Sequence, residues 1–545
     1  MNKKWKIWLP VFFGMAIAIG IIVGNLIAKR AFSGNGKGMN SSYFSKTSKL
    51  ETILGLIDAD YVEDVNVDSL SEDLIPKLLA NLDPHSVYIP ASDMEMANED
   101  LDGSFSGIGV QFNIQTDTVM VVSVIHGGPS DKLGILPGDR IVSVNDSAFV
   151  GKKITNERVM KKLRGKKGSK VKLGIKRRSS AKILTYVVTR GDVPVKSVDS
   201  YYMLAPQIGY IKVSNFGSQT YKEFIEAINK LHKSGAQKYV VDLRGNPGGL
   251  MDAATNMVNE FLKKGSLIVY TKGKSYPRKD IYANGNGTCQ KADLVVLIDE
   301  WSASASEIFA GAMQDNDRAV IIGRRSFGKG LVQQQIPFND GSAVRLTVAR
   351  YYTPSGRCIQ KPYKKGDVMS YEKDIMNRYI HGEFNNKDSI KISKALKYKT
   401  VGGRTVYGGG GIMADIFIPK DTSSYTPYFN KVVDAGYIYE FAFQYADNNR
   451  AKLKQYKNWQ SLYSYLEKQP MLVDFAEFAE KKKGVKKNIH QILKSASLIE
   501  QMIYSYVAKD AAGDEAYYPI VNSEDDCLKE AIKQLKHKVN LTAKK

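Results

Sequence analysis

Between Gly209 and about Pro419 the chain alternates short, β-branched apolar runs with stretches of helical periodicity, and this alternation restricts the segment to an α/β domain built from βα units. Strands are expected at Tyr210–Val213, Lys238–Leu243, Leu267–Thr271, Leu294–Ile298 and Ala319–Ile322. Helices are expected at Gln219–His232, Met251–Phe261 and Ala305–Met313. At 545 residues the chain needs more than one core, so further units must flank this domain. Upstream, Leu50, Ile53, Leu54 and Ile57, then Leu70, Leu74, Ile75, Leu78 and Leu79, recur at helical spacing, with a break over Asp58–Val67. Pro84 stops the second helix, because proline forces its predecessor out of the helical region. From Gly103 to Arg190 the pattern changes to short β runs parted by glycine: Ile108–Phe112, Val119–Ile125, Arg140–Val144 and Lys170–Lys176. A helix is expected over Asn156–Leu163 with Thr155 as its N-cap. After Asp421 the sequence is helical, aromatic and Lys-rich to its end.

The N-terminus carries a different signal. Lys3, Lys4 and Lys6 precede an almost unbroken apolar stretch from Ile7 to Ala28, closed by Lys29 and Arg30. At about 1.5 Å per residue such a run crosses a hydrocarbon core. A cleaved signal peptide is the alternative, but the run exceeds an ordinary h-region and no A-x-A site follows it. The reading is a signal anchor at 7–28, with a short cytoplasmic tail at 1–6 and a Gly/Ser/Asn-rich linker at 29–45. The rest of the chain would then lie outside the cytoplasm. A formal charge of +22 raises the question of nucleic acid, but no zinc-finger, RNP or helix-turn-helix pattern accompanies it. The Lys481-Lys482-Lys483 and Lys486-Lys487 runs read as a solvated helix face, and no nucleic-acid partner is expected. Cys289, Cys358 and Cys527 are scattered and odd in number, so a full set of intrachain disulfides is excluded.

The six histidines form no HExxH or Cys/His cluster, so no metal site is expected and no cofactor is called for. Asp242-Leu243-Arg244-Gly245-Asn246-Pro247-Gly248-Gly249 is Gly-rich but lacks the GK[ST] of a phosphate cradle. A better candidate is the strand Leu294–Ile298 running into Trp301-Ser302-Ala303-Ser304-Ala305-Ser306-Glu307 and an apolar helix. A serine at such a junction is displayed at the mouth of the sheet, beside backbone N–H groups that the helix leaves unpaired. The same serines can equally be caps, since Ser-x-x-Glu is a common helix start. Lys329, in Phe327-Gly328-Lys329-Gly330-Leu331-Val332-Gln333, supplies a second group. A desolvated lysine loses affinity for its proton and can serve as base toward a serine, and Gln333 is placed to orient it.

These segments closely resemble the carboxyl-terminal processing proteases, the tail-specific S41 peptidase family. The match rests on Trp301–Glu307, on Phe327-Gly328-Lys329-Gly330-x-x-Gln333, and on Asp242–Gly249. Gly209–Val213, Leu82–Ser86 and Tyr351–Arg357 extend it, in order, over roughly Lys46 to Pro419. The resemblance implies Ser304 as nucleophile, Lys329 as general base and Gln333 as its positioning partner. It implies an oxyanion hole from the Ala305 N–H and a Gly248 or Gly249 amide. The segment 103–190 likewise resembles a PDZ domain, with Gly107-Ile108-Gly109-Val110 as the loop that holds a chain-terminal carboxylate and the adjoining strand as the peptide's partner.

The implied fold is a ClpP/crotonase-like α/β protease core over 191–420 with an inserted PDZ domain at 103–190. A helical N-terminal region at 46–102 and a helical C-terminal region at 421–545 complete it. The implied activity is a serine endopeptidase that processes or degrades exported proteins and recognises their free C-termini. Its place would be the cell envelope, anchored in the inner membrane with the catalytic part in the periplasm. A non-catalytic PDZ scaffold at the membrane is the rival reading, and the intact Ser304, Lys329 and Gln333 set speaks against it.

Overall fold

In the computed structural model the described residues are 49–537, apart from 116, 126, 152, 178–179 and 392. The expected anchor at 7–28 lies outside them, and among the described residues no helix is long and apolar enough to cross a membrane. The described residues divide into two units between Ile75 and Pro76. In the first, α1 (Lys49–Asp60) buries none of its residues. Helix α2 (Val67–Leu79) spans the boundary, and the expected break between the two helices falls at 61–66.

The second unit begins with a short strand, β1 (Val87–Ile89), and helix α3 (Met94–Asp102). A clip of β2 (Ser104–Gly107) leads into a compact β domain: β3 (Val110–Gln115), β4 (Thr118–Val124), β5 (Arg140–Val144), helix α4 (Asn156–Leu163), β6 (Lys170–Lys176) and β7 (Leu184–Thr189). Its antiparallel sheet runs β3-β4-β5-β6-β7, so β3 has one free edge. Val119, Val121, Ile141, Val171, Leu173 and Val188 fill the core together with Val159 and Leu163 of α4. Strand β8 (Gly191–Pro194) returns beside β2, pairing Gly107 with Gly191, and this two-stranded clip closes the domain as an insertion. The first expected strand differs: Ile108 and Gly109 stay in the loop, because Gly109 has φ +75° and turns the chain before β3 starts.

The α/β sheet has six strands, in the order Val198–Ala205, Ile208–Val213, Lys238–Asp242, Asp293–Ile298, Val320–Gly323 and Ile416–Phe417. Strand β9 (Val198–Ala205) pairs antiparallel with β10 (Ile208–Val213), and every later pair is parallel. Helix α5 (Thr220–Lys233) connects β10 to β11 (Lys238–Asp242), and α6 (Met251–Asn259) follows β11. Strands β12 (Leu267–Lys272) and β13 (Lys279–Tyr282) then leave this sheet for a second one before β14 (Asp293–Ile298) re-enters. Helix α7 (Ala305–Asp315) leads from β14 to β15 (Val320–Gly323). A hairpin of β16 (Leu331–Pro337) and β17 (Ala343–Tyr352) joins β1, β12 and β13 in the antiparallel sheet, and β18 (Ile416–Phe417) ends the main one.

Strand alternation gives the main sheet two buried faces. Ile211, Val213, Val241, Val296, Ile298 and Ile321 pack with α5, α6 and α7. On the other face Tyr210, Val240, Val295, Leu297 and Ile322 pack against Cys527, Leu528, Ala531 and Leu535. The region after 421 is therefore not uniform. Most of it is a helical bundle with its own core, from Tyr428 to Ile520. It includes α8 (Tyr437–Asn448), α9 (Arg450–Leu453), α10 (Ala496–Ala512) and α11 (Asp514–Val521). The last helix, α12 (Asp526–Lys536), instead covers the back of the α/β sheet. Cys289 and Cys527 are buried free thiols and Cys358 is a half-buried one.

Candidate active site

Strands β11 and β14 lie side by side and parallel, so the loops at their carboxyl ends meet, as ligand-binding loops of parallel sheets do. The two loops, 243–250 and 299–304, are stitched together. The Gly245 N–H donates to Asp299 Oδ1 (2.9 Å), the Ala303 N–H to the Asn246 carbonyl (3.0 Å), and the Ser302 hydroxyl to the Leu243 carbonyl (2.8 Å). The Ser306 hydroxyl donates to the Asn246 carbonyl (3.0 Å). Ser302 and Ser306 are fully buried and occupied in this stitching. Ser304 differs from both. It is half-buried, it is the N-cap of α7, and its backbone has φ +54° and ψ −113°, a region that non-glycine residues rarely enter. Ser304, which the resemblance singles out, is thus set apart from Ser302 and Ser306 by its surroundings.

Gly248 adjoins Ser304. It has φ +103°, and a Cβ there would stand 2.7 Å from Ser304 Cβ and 2.9 Å from the Ala305 nitrogen. Only glycine permits that approach. Gly249 (φ +142°) lies against Phe216, whose carbonyl would be 2.2 Å from an added Cβ. The Gly248 amide, expected as an oxyanion donor, instead gives its proton to Asn246 Oδ1 (2.8 Å), because an Asn side chain reaches the N–H two residues on. Ala305 is the first residue of α7, so its N–H has no acceptor within the helix.

Lys329 reaches the same place through Glu307. This carboxylate is fully buried, and its Oε2 accepts from both the Ser304 N–H (2.9 Å) and the Lys329 N–H (2.8 Å). Oε1 accepts from the Gly328 N–H (2.7 Å) and the Ser326 hydroxyl. Tyr351 adds a second tie, donating to the carbonyls of Ser304 (3.1 Å) and Lys329. Burial pushes the Glu307 carboxyl up to about 7, against the pull of these donors. Burial also lowers the Lys329 ammonium below the usual lysine range, helped by the Arg345 charge and opposed by Glu307 and Asp83.

Gln333 departs from expectation. Its Nε2 donates to Thr347 Oγ1 (3.3 Å), its direct cross-strand partner between β16 and β17. No bond from Gln333 to Lys329 occurs among the described hydrogen bonds. Thr347 in turn donates to Asp83 Oδ1 (3.0 Å), and Asp83 also accepts from the Ser86 hydroxyl (2.6 Å). The Leu82–Ser86 segment, seen in the sequence as a helix stop, is therefore part of the site wall. His85 stands there too, its imidazole lowered to about 4 by burial and then by the Lys329 charge. Glu307, Asp83 and Arg345 were missed by sequence reasoning. Asp83 lay in the quoted Leu82–Ser86 match without a role, and Glu307 in Ser-x-x-Glu, which reads as a capping box; here its Glu307 half forms, accepting from the Ser304 N–H. Among the described residues no group of three His, Cys, Asp or Glu side chains could hold a metal ion.

In the inserted β domain, Gly107 ends β2, Ile108 is buried in the core, and Val110 opens β3. The Ile108 and Gly109 carbonyls accept from Ser130 (2.9 Å) and Ile125 (3.0 Å) respectively. The free edge of β3 is continuous with this loop.

Comparison with known proteins matches residues 207–369 to Peptidase family S41, 106–188 to the PDZ domain, and 428–513 to a family of unknown function (DUF8443). The chain is similar to the carboxy-terminal processing protease CtpA of Bacillus subtilis (strain 168), 36% identical over 416 residues, covering 73% of this chain and 86% of that one. It is similar to a probable CtpA-like serine protease of Staphylococcus aureus (strain MRSA252), 34% identical over 368 residues, covering 67% and 72%. Among solved structures, a photosystem II D1 C-terminal processing protease is 31% identical, covers 56% of this chain and 82% of its own, and superposes with a TM-score of 0.34.

Proposed function

Because the chain belongs to the carboxy-terminal processing proteases, serine peptidases of family S41 that carry a PDZ domain, we propose that it cuts exported proteins with a Ser304–Lys329 dyad after gripping their C-terminal ends in the PDZ groove. The observation that carries the reading is the shared Glu307 oxygen, which fixes Ser304 and Lys329 to one point while leaving Ser304 half-buried at a helix start. The chemistry follows from the surroundings. Lys329, partly stripped of its affinity for a proton by burial, takes the Ser304 hydroxyl proton as oxygen attacks the scissile carbonyl. The oxyanion rests on the Ala305 N–H and on an amide of the Gly248-Gly249 loop. For Gly248 to serve, its N–H must leave Asn246, so Gly249 or a shifted loop is the working donor. The proton returns to the leaving amine, and water clears the acyl-enzyme. Gln333 acts on Lys329 at one remove, through Thr347 and Asp83.

In the PDZ domain, the amides of Gly107, Ile108, Gly109 and Val110 hold the substrate's terminal carboxylate, and β3 takes the peptide as an added strand. The N-terminal apolar run tethers the chain to the inner membrane, with the catalytic part on the periplasmic side. The test uses an unfolded reporter ending in a free apolar C-terminus, with a C-terminally amidated twin. Wild type should cleave the free form faster, and Ser304→Ala and Lys329→Ala should each lose cleavage while keeping the fold. Cleavage retained in both variants would move the nucleophile elsewhere.

A further inference from the structure

Val122 and Phe443 are buried, yet neither belongs to the core of the unit that carries it. Strand β4 turns Val119 and Val121 into the PDZ core, so Met120 and Val122 face outward. On a free-standing PDZ domain that face would meet water, but Met120 is 1% exposed and Val122 8%. Phe443, on α8 of the helical bundle, is 3% exposed and stands outside the bundle's core cluster. The two meet. A small cavity of about 30 Å³ is lined by Val122 and Pro137 of the PDZ domain and by Phe443, Ala446, Asp447 and Arg450 of the bundle. Next to Pro137, a Cβ on Gly138 would stand 2.8 Å from Asp447 Oδ1 and 2.9 Å from Arg450 Nη2. The turn before β5 is thus seated directly on the Asp447–Arg450 ion pair (3.1 Å).

We propose that the bundle at 427–521 is a built-in dock for the PDZ domain, gripping the outer face of β4 and the Pro137-Gly138 turn while the free edge of β3 stays available to a peptide. Substrate-driven movement of the PDZ domain, which rests on the reading of that domain given above, would then have to break this contact first. The dock is of a kind that can open. Asp510, on α10, lines the same cavity, and both its carboxylate oxygens are buried without a hydrogen-bond partner among the described residues. The charged and titratable groups around it are Arg450, Asp447, Lys454, Lys509 and Tyr439, and among the described residues the PDZ side of the cavity is lined by Val122 and Pro137. Burial pushes the Asp510 carboxyl from 3.8 up to about 7. The part of that burial supplied by Val122 and Pro137 favours the protonated form, so docking is tighter in acid and weakens as pH rises towards about 7.

The test is hydrogen exchange on the full chain without substrate, so that its outcome is independent of whether the Ser304 reading holds. Val122→Glu and Phe443→Glu each bury a lone carboxylate in the contact. Either should speed exchange in β4 and the 137–138 turn by at least about tenfold, leaving β10, β11 and β14 unchanged. The paired variant Val122→Lys with Phe443→Glu should recover much of the protection, because the two charges then face each other. Unchanged exchange in both single variants would overturn the dock. So would a paired variant no better protected than the singles, whether or not a single variant loosens the whole chain.

Discussion

At the scale of single residues the site is organised around one buried carboxylate. Glu307 accepts four donors, two of which are the backbone amides of Ser304 and Lys329. A glutamine there can accept at one atom only, so two donors would face an amide N–H. Glu307→Gln should therefore cost about 3 kcal/mol in denaturant unfolding and at least about a hundredfold in kcat. Its pH signature is specific. The folded chain holds the Glu307 proton up to about 7 against 4.5 unfolded, so this group's contribution is full below 4.5 and is lost as pH rises through 7. Unfolding free energy followed across that window should fall less in Glu307→Gln than in wild type. Lys329 gives a second, kinetic signature. A base must be neutral, so activity should rise with pH along a limb whose midpoint lies below the ordinary lysine value of 10.5. Arg345 helps to drive that proton off, and Arg345→Gln should move the limb of kcat to higher pH by up to about one unit. An unmoved limb would remove Lys329 from the role of base.

At the scale of elements, the glycine-bearing loop after β11 and the serine turn after β14 act as one rigid mouth. Gly248 and Gly245 allow that to be tested as a pair. Both have positive φ, +103° and +71°, but an added Cβ at Gly245 meets nothing within 4 Å, whereas at Gly248 it strikes Ser304 and Ala305. Gly245→Ala should cost only the backbone strain of about 1 kcal/mol and keep most activity. Gly248→Ala should abolish peptide hydrolysis, and comparable rates for the two variants would refute the close packing. This mouth was largely legible in the sequence. The apolar run Leu294–Ile298 fixes a buried strand, and the Ser-rich segment after it fixes a turn and a helix start. The contacts made from elsewhere were not legible. Asp83 meets Thr347 only because the hairpin at 331–352 and a strand at 87–89 share a sheet, and pairing between segments so far apart leaves no local pattern. The expected Gln333–Lys329 bond gave way to a pair across the hairpin itself, with Thr347 directly opposite Gln333.

At the scale of the molecule, the α/β domain is closed by a helix more than a hundred residues away in the chain. The periodicity of Asp526–Lys536 announces an amphipathic helix, but nothing in it names the surface that it covers. Its apolar side, Leu528, Ala531 and Leu535, lies on Val240, Val295, Leu297 and Ile322, the back of the strands whose far ends carry the site. Two polar ties fix its ends: Arg244 pairs with Asp525 (2.6 Å) and with Asp242 (2.6 Å), and Lys238 Nζ donates to the Leu535 carbonyl (2.5 Å). Arg244 belongs to the loop that carries Gly248, so α12 is coupled to the mouth as well as to the core. Leu535 is fully buried, and Leu535→Ala should cost about 2–5 kcal/mol. The informative comparison is Leu466→Ala, an equally buried leucine in the core of the bundle. If α12 belongs energetically to the catalytic sheet, Leu535→Ala should lower amide protection in β11 and β14 and reduce kcat. Leu466→Ala should loosen the bundle and leave both nearly unchanged. The opposite pattern would make the bundle and its last helix one cooperative unit, merely leaning on the sheet, and would separate the C-terminal region from the stability of the site.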